Sequence, residues 1–312
     1  MAIVNNRLLH AEHLSDLSDA AGIINGIDAG GLMSASIQCG FDDVIIAGAD
    51  GFSMPEVDRL TQFVRGTVVT QDWIEVLNIL AGTVSRYTYY ERNSGGPTFR
   101  RNELQWPYIH TASINLAHRG RGDSAFSFEC WFDNTDSDIA DIWTTSDLIS
   151  DSTVATAITY SPGLEIETCI HDPGVGDSDI YHVLGFSMTV AGQLSRASAD
   201  SDVGYTAVDI VWGRQPISGT LTIQDADRYR SLLSAGKADL ILTVKQSQGA
   251  NSKVLTVKDV VFTGLDSTSN AGPGYTGYTL NWVQTSLQAT GYGYAADNPF
   301  VGDAAGVTIV NA

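Results

Sequence analysis

The chain has 312 residues, of which 43% are hydrophobic and 17% are charged, so it can bury a sizeable core and is not globally disordered. Its formal net charge is −19, with only 17 lysines and arginines, which excludes a conventional nucleic-acid binder because such a surface repels the phosphate backbone. Solubility is the simplest explanation of this charge, and a surface that DNA slides past without adhering tolerates it too.

Residues 1–26 predict an N-terminal arm. This arm has no apolar stretch of signal-peptide length, and no run in the chain approaches the roughly 18 apolar residues of a membrane span. Folding in a cytoplasm, without a membrane, is therefore the expectation. His10 and His13 have the spacing of one helical face, but no supporting ligand stands at a metal-site spacing, so they predict a surface pair.

Residues 27–133 predict a first β-rich domain. A short β run at residues 67–70 ends before Asp72, whose carboxylate suits the N-cap of a helix. One short amphipathic helix follows, closed by Gly82 as a left-handed C-cap. The apolar positions of this helix are Trp73, Val76, Leu77 and Leu80. Alternation then predicts three strands, SRYTYYE, ELQWPYIHTASINL and SAFSFECWF, with a turn at RGRGD between the last two.

Residues 134–156 predict a polar, acidic linker. Four aspartates around the domain–linker boundary resemble a cation-binding loop, but the glycine and the terminal glutamate of an EF-hand are missing. A solvated linker is therefore the stronger expectation. The four residues are Asp133, Asp136, Asp138 and Asp141.

Residues 157–287 predict a second domain with the element order of the first. A β run at residues 220–223 precedes Asp225 as N-cap, then a short helix and Gly236 as C-cap. The apolar positions of this helix are Tyr229, Leu232 and Leu233. Three further strands are predicted in ADLILTVKQ, KVLTVKDVVFTGLD and GYTGYTLNWVQTS. Residues 288–312 are rich in Gly, Ala and Tyr and predict a C-terminal arm.

The two domains align as an internal repeat. Gly66 matches Gly219 at an offset of about 153 residues, and Gly82 matches Gly236 after a one-residue insertion. Weaker upstream matches at the first offset are Ser34 with Ser187 and Ile37 with Val190. The predicted fold class is mainly β (β+α): two tandem copies of a β-sandwich or barrel domain, each with one short packed α-helix.

No residue pattern predicts a catalytic, cofactor or metal site. The cysteines Cys39, Cys130 and Cys169 are odd in number and widely spaced, which favours buried thiols in a reducing compartment. His171 precedes Asp172, but without a GxSxG elbow they do not indicate a triad, so no enzyme is predicted.

Other local patterns have ordinary structural explanations. The glycine-rich GGLMSASIQCG and GPGYTG do not follow a nucleotide-binding pattern. The tripeptide RGD at residues 121–123 lies in a predicted hairpin turn, where Gly and Asp are common. The tryptophans are predicted to lie in the core or at subunit interfaces, and include Trp73, Trp106, Trp131, Trp212 and Trp282.

The segment GTLTIQDADRYRSLLSAGKADLILTVKQ, with KVLTVKDVVFTGLDS and GYTGYTLNWVQ after it, resembles the tail tube proteins of long-tailed bacteriophages. Those proteins run strand, short Ala/Leu helix, Gly, long strand, strand and closing strand. The same fold occurs in tail-like injection tubes, including the secreted tube of type VI systems, and in distal tail proteins. The resemblance covers most of the second domain and, through the repeat, the first.

The resemblance implies a structural virion protein that assembles in the host cytoplasm and resides in the tail. Its rings would stack into a tube, contact other tail proteins, and pass DNA through an acidic lumen without specific binding. The duplication favours three chains per ring of six near-equivalent domains. Two alternatives remain open: a distal tail, hub or capsid decoration protein, and a β-rich binding module for a receptor or carbohydrate.

Overall fold

The computed structural model describes the following residues: 8–14, 27–28, 32–46, 56–71, 73–74, 76–77, 86–92, 98–105, 107–120, 122–130, 139–150, 163–171, 179–191, 193–197, 209–213, 217–224, 230–246, 252–268, 277–285 and 307–311. Within them the chain is mainly β.

The first half of the chain contributes nine strands to the described structure. They are β1 (Leu8–Leu14), β2 (Ile27–Asp28), β3 (Leu32–Ile46), β4 (Glu56–Thr70), β5 (Arg86–Arg92), β6 (Thr98–Gln105), β7 (Pro107–Ala117), β8 (Asp123–Cys130) and β9 (Trp143–Ser150). A short α-helix, Ile139–Ile142, precedes β9. Of the three strands predicted after the first helix, the first and third are confirmed as β5 and β8, whereas the second, ELQWPYIHTASINL, is divided between β6 and β7.

The second half contributes nine more. They are β10 (Leu164–His171), β11 (Val183–Ala191), β12 (Gln193–Ala197), β13 (Asp209–Gly213), β14 (Ser218–Ile223), β15 (Ala238–Gln246), β16 (Ser252–Thr268), β17 (Gly277–Gln284) and β18 (Val307–Asn311). A 3-10 helix, Arg230–Ser234, lies between β14 and β15. The three strands predicted here are confirmed as β15, β16 and β17.

Antiparallel pairing joins these strands into one large sheet and two smaller ones. The large sheet has 11 strands in the order β10-β15-β16-β17-β14-β11-β7-β8-β4-β3, with β18 also paired to β16. A five-stranded sheet has the order β2-β1-β5-β6-β9, and β12 pairs with β13. The β7–β11 pairing connects strands of the first half to strands of the second.

The pairing scheme of the first half recurs in the second. The order β3-β4-β8-β7 corresponds to β11-β14-β17-β16. The partners of β6, which are β5 and β9, correspond to β15 and β18, the partners of the N-terminal part of β16. β1 pairs with β5 as β10 pairs with β15. Thus β16 occupies, as one long strand, the places of both β6 and β7.

The register recurs as well as the order. Gly66 of β4 lies opposite Phe128 of β8, and Gly219 of β14 lies opposite Trp282 of β17. Irregularities between Ile109 and Thr111 and between Phe262 and Gly264 correspond, as do those between Leu8 and His10 and between Ile166 and Thr168. Because one extra residue moves every later side chain to the other face, matched bulges keep both halves in phase.

A long hairpin stands at the same point of each half. In the first half its arms are β3 and β4, of 15 residues each. In the second half each arm is divided into two strands: β11 and β12 form one arm, and β13 and β14 form the other. The β11–β14 pair belongs to the large sheet, and the β12–β13 pair forms the two-stranded sheet. The paired residues of this hairpin reach from Val183 to Ala197 on one arm and from Asp209 to Ile223 on the other.

The structured part of the chain extends into segments that the sequence assigned to arms and a linker. β1 lies within 1–26 and pairs with β5. The helix Ile139–Ile142 and β9 lie within 134–156, and β9 pairs with β6. β18 lies within 288–312 and pairs with β16. These strands are short and weakly alternating, and distant partners stabilise them, which local pattern does not reveal.

The two predicted helices have different outcomes. Residues 73, 74, 76 and 77 are α-helical, and Trp73, Val76 and Leu77 are buried as expected. The second helix is 3-10 rather than α; of its predicted apolar positions, Leu232 is buried as expected, whereas Leu233 is 39% exposed. With three residues per turn, adjacent leucines cannot both face the sheet. Gly236 does not have the positive φ of a left-handed cap, and Asp72, Leu80, Gly82, Asp225 and Tyr229 lie outside the described residues.

The hydrophobic core lies against one face of the large sheet and includes side chains of both halves. Phe186 and Trp282 stack with ring centroids 5.7 Å apart. Tyr87 of the five-stranded sheet meets Phe128 of the large sheet at 5.4 Å, which joins the two sheets through packed rings. Each such fully buried side chain stabilises the fold by roughly 1.5–3 kcal/mol.

Candidate functional surface

The central strands of the large sheet have two unlike faces. In β8 the burial alternates strictly, with Phe126 and Phe128 buried and Ala125 and Ser127 on the other face. This alternation follows from the two-residue period of a strand. One face therefore forms the core, and the other is available for function.

The side chains on that other face are mostly small and polar, and we call it the polar face. Its hydroxyls bond across strands: Thr67 and Ser127 through their Oγ atoms at 3.0 Å, and Ser187 Oγ with Thr220 Oγ1 at 2.7 Å. Its uncharged polar members include Ser34, Ser36, Gln38, Thr67, Ser127, Thr111, Ser113, Asn115, Ser187, Thr189, Thr220, Thr222, Thr279 and Asn281. Such a face offers hydrogen bonds but no large apolar patch for a ligand.

The polar face carries few charges among its described side chains. Arg65 lies opposite Glu129 in the β4–β8 register, donates from Nε to Gln38 at 3.3 Å, and places its guanidinium 4.2 Å from the Phe63 ring centroid. The remaining charges are Asp123 and Asp266, and Asn281 Nδ2 donates to Asp266 Oδ2 at 2.7 Å. Acids thus outnumber bases, although hydroxyl and amide groups dominate.

The two ends of the strand order differ from its middle. In the middle, β11 has partners on both edges, β14 and β7. Among the described strands, its counterpart β3 pairs with β4 alone. The C-terminal part of β16, the counterpart of β7, pairs there with β17 alone, whereas β7 has both β8 and β11. Among the described strands, each chain therefore presents two different strand edges, β3 and the C-terminal part of β16, that have a partner strand on one side alone.

The cysteines depart from the expectation of three buried thiols. Cys130 and Cys169 are buried, but Cys39 is exposed on β3. Burial raises the pKa of the Cys169 thiol, and burial together with the neighbouring Glu129 raises that of Cys130. Neither thiol is therefore activated as a nucleophile. Cys39 is exposed because β3 is the last strand of the sheet order.

The described histidines His171, His118 and His110 lie in three different environments. His171 is fully buried, with Nε2 3.1 Å from the Val260 carbonyl oxygen and its ring against Phe262. His118 Nδ1 accepts the backbone N–H of Ile166 at 3.1 Å. Burial lowers the pKa of His110. Asp172 lies outside the described residues, and His10 and His13 belong to strand β1, so their helical spacing does not apply.

A cavity of about 680 Å³ lies where β10 meets β11, beside the end of β7. Its lining includes His118, Arg119, Cys169 and His182. The Cys169 thiol is protonated and His118 is engaged by the backbone, so this cavity has no activated nucleophile among those groups. Within the described ranges, no three His, Cys, Asp or Glu side chains lie close enough to hold a metal ion.

Several remaining sequence patterns have a definite place. The turn at RGRGD is confirmed: Gly120 donates its N–H to the Ala117 carbonyl at 2.9 Å, Arg119 has a φ of 59°, and β8 begins at Asp123. Trp73 and Trp282 are core residues. Trp106, Trp131, Arg121 and three of the four aspartates lie outside the described residues, and Asp141 lies in the helix before β9.

The polar face was not predicted from the sequence, although its signal is visible there. In β3, Ser34, Ser36 and Gln38 alternate with Ala35 and Ile37. The same alternation of small polar and apolar residues recurs in TASINL of β7 and SAFSFEC of β8. A period of two with hydroxyl residues on one side predicts a sheet with one solvated face.

No protein-family model and no curated protein sequence matches the chain. Among the described residues, no helix is long and apolar enough to cross a membrane.

Proposed function

We propose that the chain is a structural virion protein whose rings stack into the tail tube of a long-tailed bacteriophage. It contains two tandem, divergent copies of one β-sandwich or barrel domain, so three chains form a ring of six near-equivalent domains. The tube conducts DNA from the capsid to the host and contacts other tail proteins. The chain acts without catalysis and without a cofactor.

The observation that carries this proposal is the recurrence of strand order and register in both halves. Chance similarity between two β segments does not reproduce the same partners, the same bulges and the same Gly–aromatic pairs. A duplicated element gives one chain two equivalent building blocks, and heterologous contacts between equivalent blocks close into a ring. The β7–β11 pairing supplies one such contact within the chain.

The polar face supports a role in passing DNA. Its small hydroxyl and amide side chains offer no positive charge to the phosphates, and acids exceed bases on this face. The net charge of −19 adds long-range repulsion, so a polyanion is not retained. We therefore assign the polar face to the wall of the channel.

Negative-stain electron microscopy of the purified chain across a concentration series tests this proposal. We expect hollow tubes of stacked rings, with three-fold averages that contain six similar lobes. Closed rings that never stack would instead indicate a hub, distal tail or decoration protein. A chain that remains monomeric at the highest concentration contradicts the proposal.

A further inference from the structure

We infer that β3 of one copy pairs antiparallel with the C-terminal part of β16 of a second copy, in a register that the chain itself specifies. This inference rests on the proposed function, because it names the partner strands that would close the ring. The template is the internal β7–β11 pairing, in which Val190 lies opposite Ala112 and Met188 opposite Ile114.

The two edges have counterparts in that template: β3 corresponds to β11, and the C-terminal part of β16 corresponds to β7. Ser36 faces Thr67 in β3–β4 as Ser187 faces Thr220 in β11–β14, so β11 lies 151 positions after β3. Ile109 faces Phe128 in β7–β8, as Phe262 faces Trp282 in β16–β17. β16 therefore lies 153 positions after β7.

Applying these two offsets to the β7–β11 pairs gives the register of the β3–β16 pairing between two copies, which we call the joint. Cys39 corresponds to Val190, and Leu265 corresponds to Ala112, so Cys39 lies opposite Leu265 of the second copy. The other pairs are Ser36 with Thr268, Ile37 with Ser267, Gln38 with Asp266, and Gly40 with Gly264.

Burial at the template and at the free edges supports the joint. Met188, Val190 and Ala112 are at most 4% exposed inside the chain. Their counterparts Ile37 and Leu265 are only partly buried, and Cys39 is exposed. These apolar groups lie on the core side of the sheet, and no described strand covers them as β7 and β11 cover their equivalents, so burying them is favourable.

The composition of β3 also favours a strand that acquires a partner. Residues 34–40, SASIQCG, contain no charge and no proline. Natural edge strands that must stay unpaired commonly carry lysine, proline or a bulge to block association. Within residues 34–40 the β3–β4 register is regular. This uncharged and regular segment of the edge is suited to strand addition by a second copy.

Disulfide trapping tests the register. In Leu265→Cys, the new thiol lies opposite the native Cys39 of the next copy, within the Cα separation that a disulfide spans. Mild oxidation is expected to give covalent dimers and higher species up to the ring on non-reducing gels. Ser267→Cys, two residues along on the same side, is the matched control and is expected to yield at least five-fold less product.

A second pair protects the test from a folding defect at Leu265. Gln38→Cys with Asp266→Cys, in a Cys39→Ser background, places both thiols on exposed positions of the polar side. This variant is expected to cross-link between copies as well. In the unmodified chain, Cys39 is expected to react rapidly with maleimide when dilute and slowly when assembled.

The outcomes separate the joint from the function. Tubes without either cross-link, or equal cross-linking at positions 265 and 267, overturn this register and leave the tube proposal standing. Specific cross-links in rings that never stack support the joint and contradict the tube. A chain that stays monomeric contradicts both.

Discussion

The equivalent positions 66 and 219 are both glycine, because an aromatic ring of the adjacent strand lies over each of them. A Cβ on Gly66 would come within 2.7 Å of the Phe128 ring and 2.8 Å of the Ser36 carbonyl oxygen. A Cβ on Gly219 would collide with the Ser187 carbonyl oxygen and the Trp282 ring. In both halves the middle strand thus lacks a side chain so that the adjacent strand can lay its ring across it.

Gly219→Ala is therefore expected to lower the free energy of unfolding by about 3 kcal/mol, since overpacking a close-packed site forces backbone shifts. Gly277→Ala is the matched control, because its nearest neighbour would be Thr222 Cγ2 at 3.9 Å, an ordinary contact. Urea denaturation followed by tryptophan fluorescence measures both. Equal stability of the two variants would show that Trp282 does not pack over Gly219.

At the residue scale, the sequence predicted what depends on local pattern. Trp73, Val76 and Leu77 are buried because helical spacing places them on one side. Cys39 was wrongly predicted to be buried because its exposure depends on the position of β3 in the sheet order, which involves residues far away in sequence. The predicted burial of Leu233 was wrong because the second helix is 3-10.

At the element scale, the alignment of the first strand shows a limit of pattern reasoning. The sequence paired Ser34 with Ser187, but the shared register makes Ser36 the counterpart of Ser187. A slip of two residues returns every side chain to the same face, so alternation cannot detect it. Only the partner strand fixes the choice, because the alignment of Ile37 with Val190 would place Ile37, rather than Cys39, opposite Leu265 of the second copy.

The sequence also underestimated how much of the chain each half uses. A strand in the predicted linker and a strand in the predicted C-terminal arm complete the two halves in the same way. In the first half β9 pairs with β6, and in the second half β18 pairs with β16. Trp143 faces Leu104 as Val307 faces Val257. The flanking segments hence supply a closing strand to each half.

This closing strand makes a prediction about the end of the chain. Val307 is 4% exposed and Val310 is 57% exposed on the same strand. Val307→Asp buries a charge and is expected to cost about 2–4 kcal/mol of stability, whereas Val310→Asp is expected to stay within about 0.5 kcal/mol. Thermal and urea unfolding compare the two variants. If β18 were a free arm, both substitutions would be neutral.

At the scale of the whole molecule, one sheet passes through both halves and ends at two unlike edges. Its strand order could not be read from the sequence, because β7 meets β11 across a separation of about 70 residues and no local signal marks the contact. The recurring element order, by contrast, has a local signal, since similar strands and turns follow one another in both halves of the sequence.

Assembly of such acidic chains is opposed by their own charge, which gives a prediction about salt. Each copy carries a formal charge of −19, and the Debye length falls from about 30 Å at 0.01 M salt to about 8 Å at 0.15 M. Repulsion between copies weakens over that range, while apolar burial at the strand joint is retained. The assembled fraction is therefore expected to rise several-fold between 0.01 and 0.3 M NaCl, as measured by analytical ultracentrifugation. Choline chloride at equal ionic strength should act alike, and an assembled fraction that falls with salt would mean that ion pairs, rather than strand addition, hold the copies together.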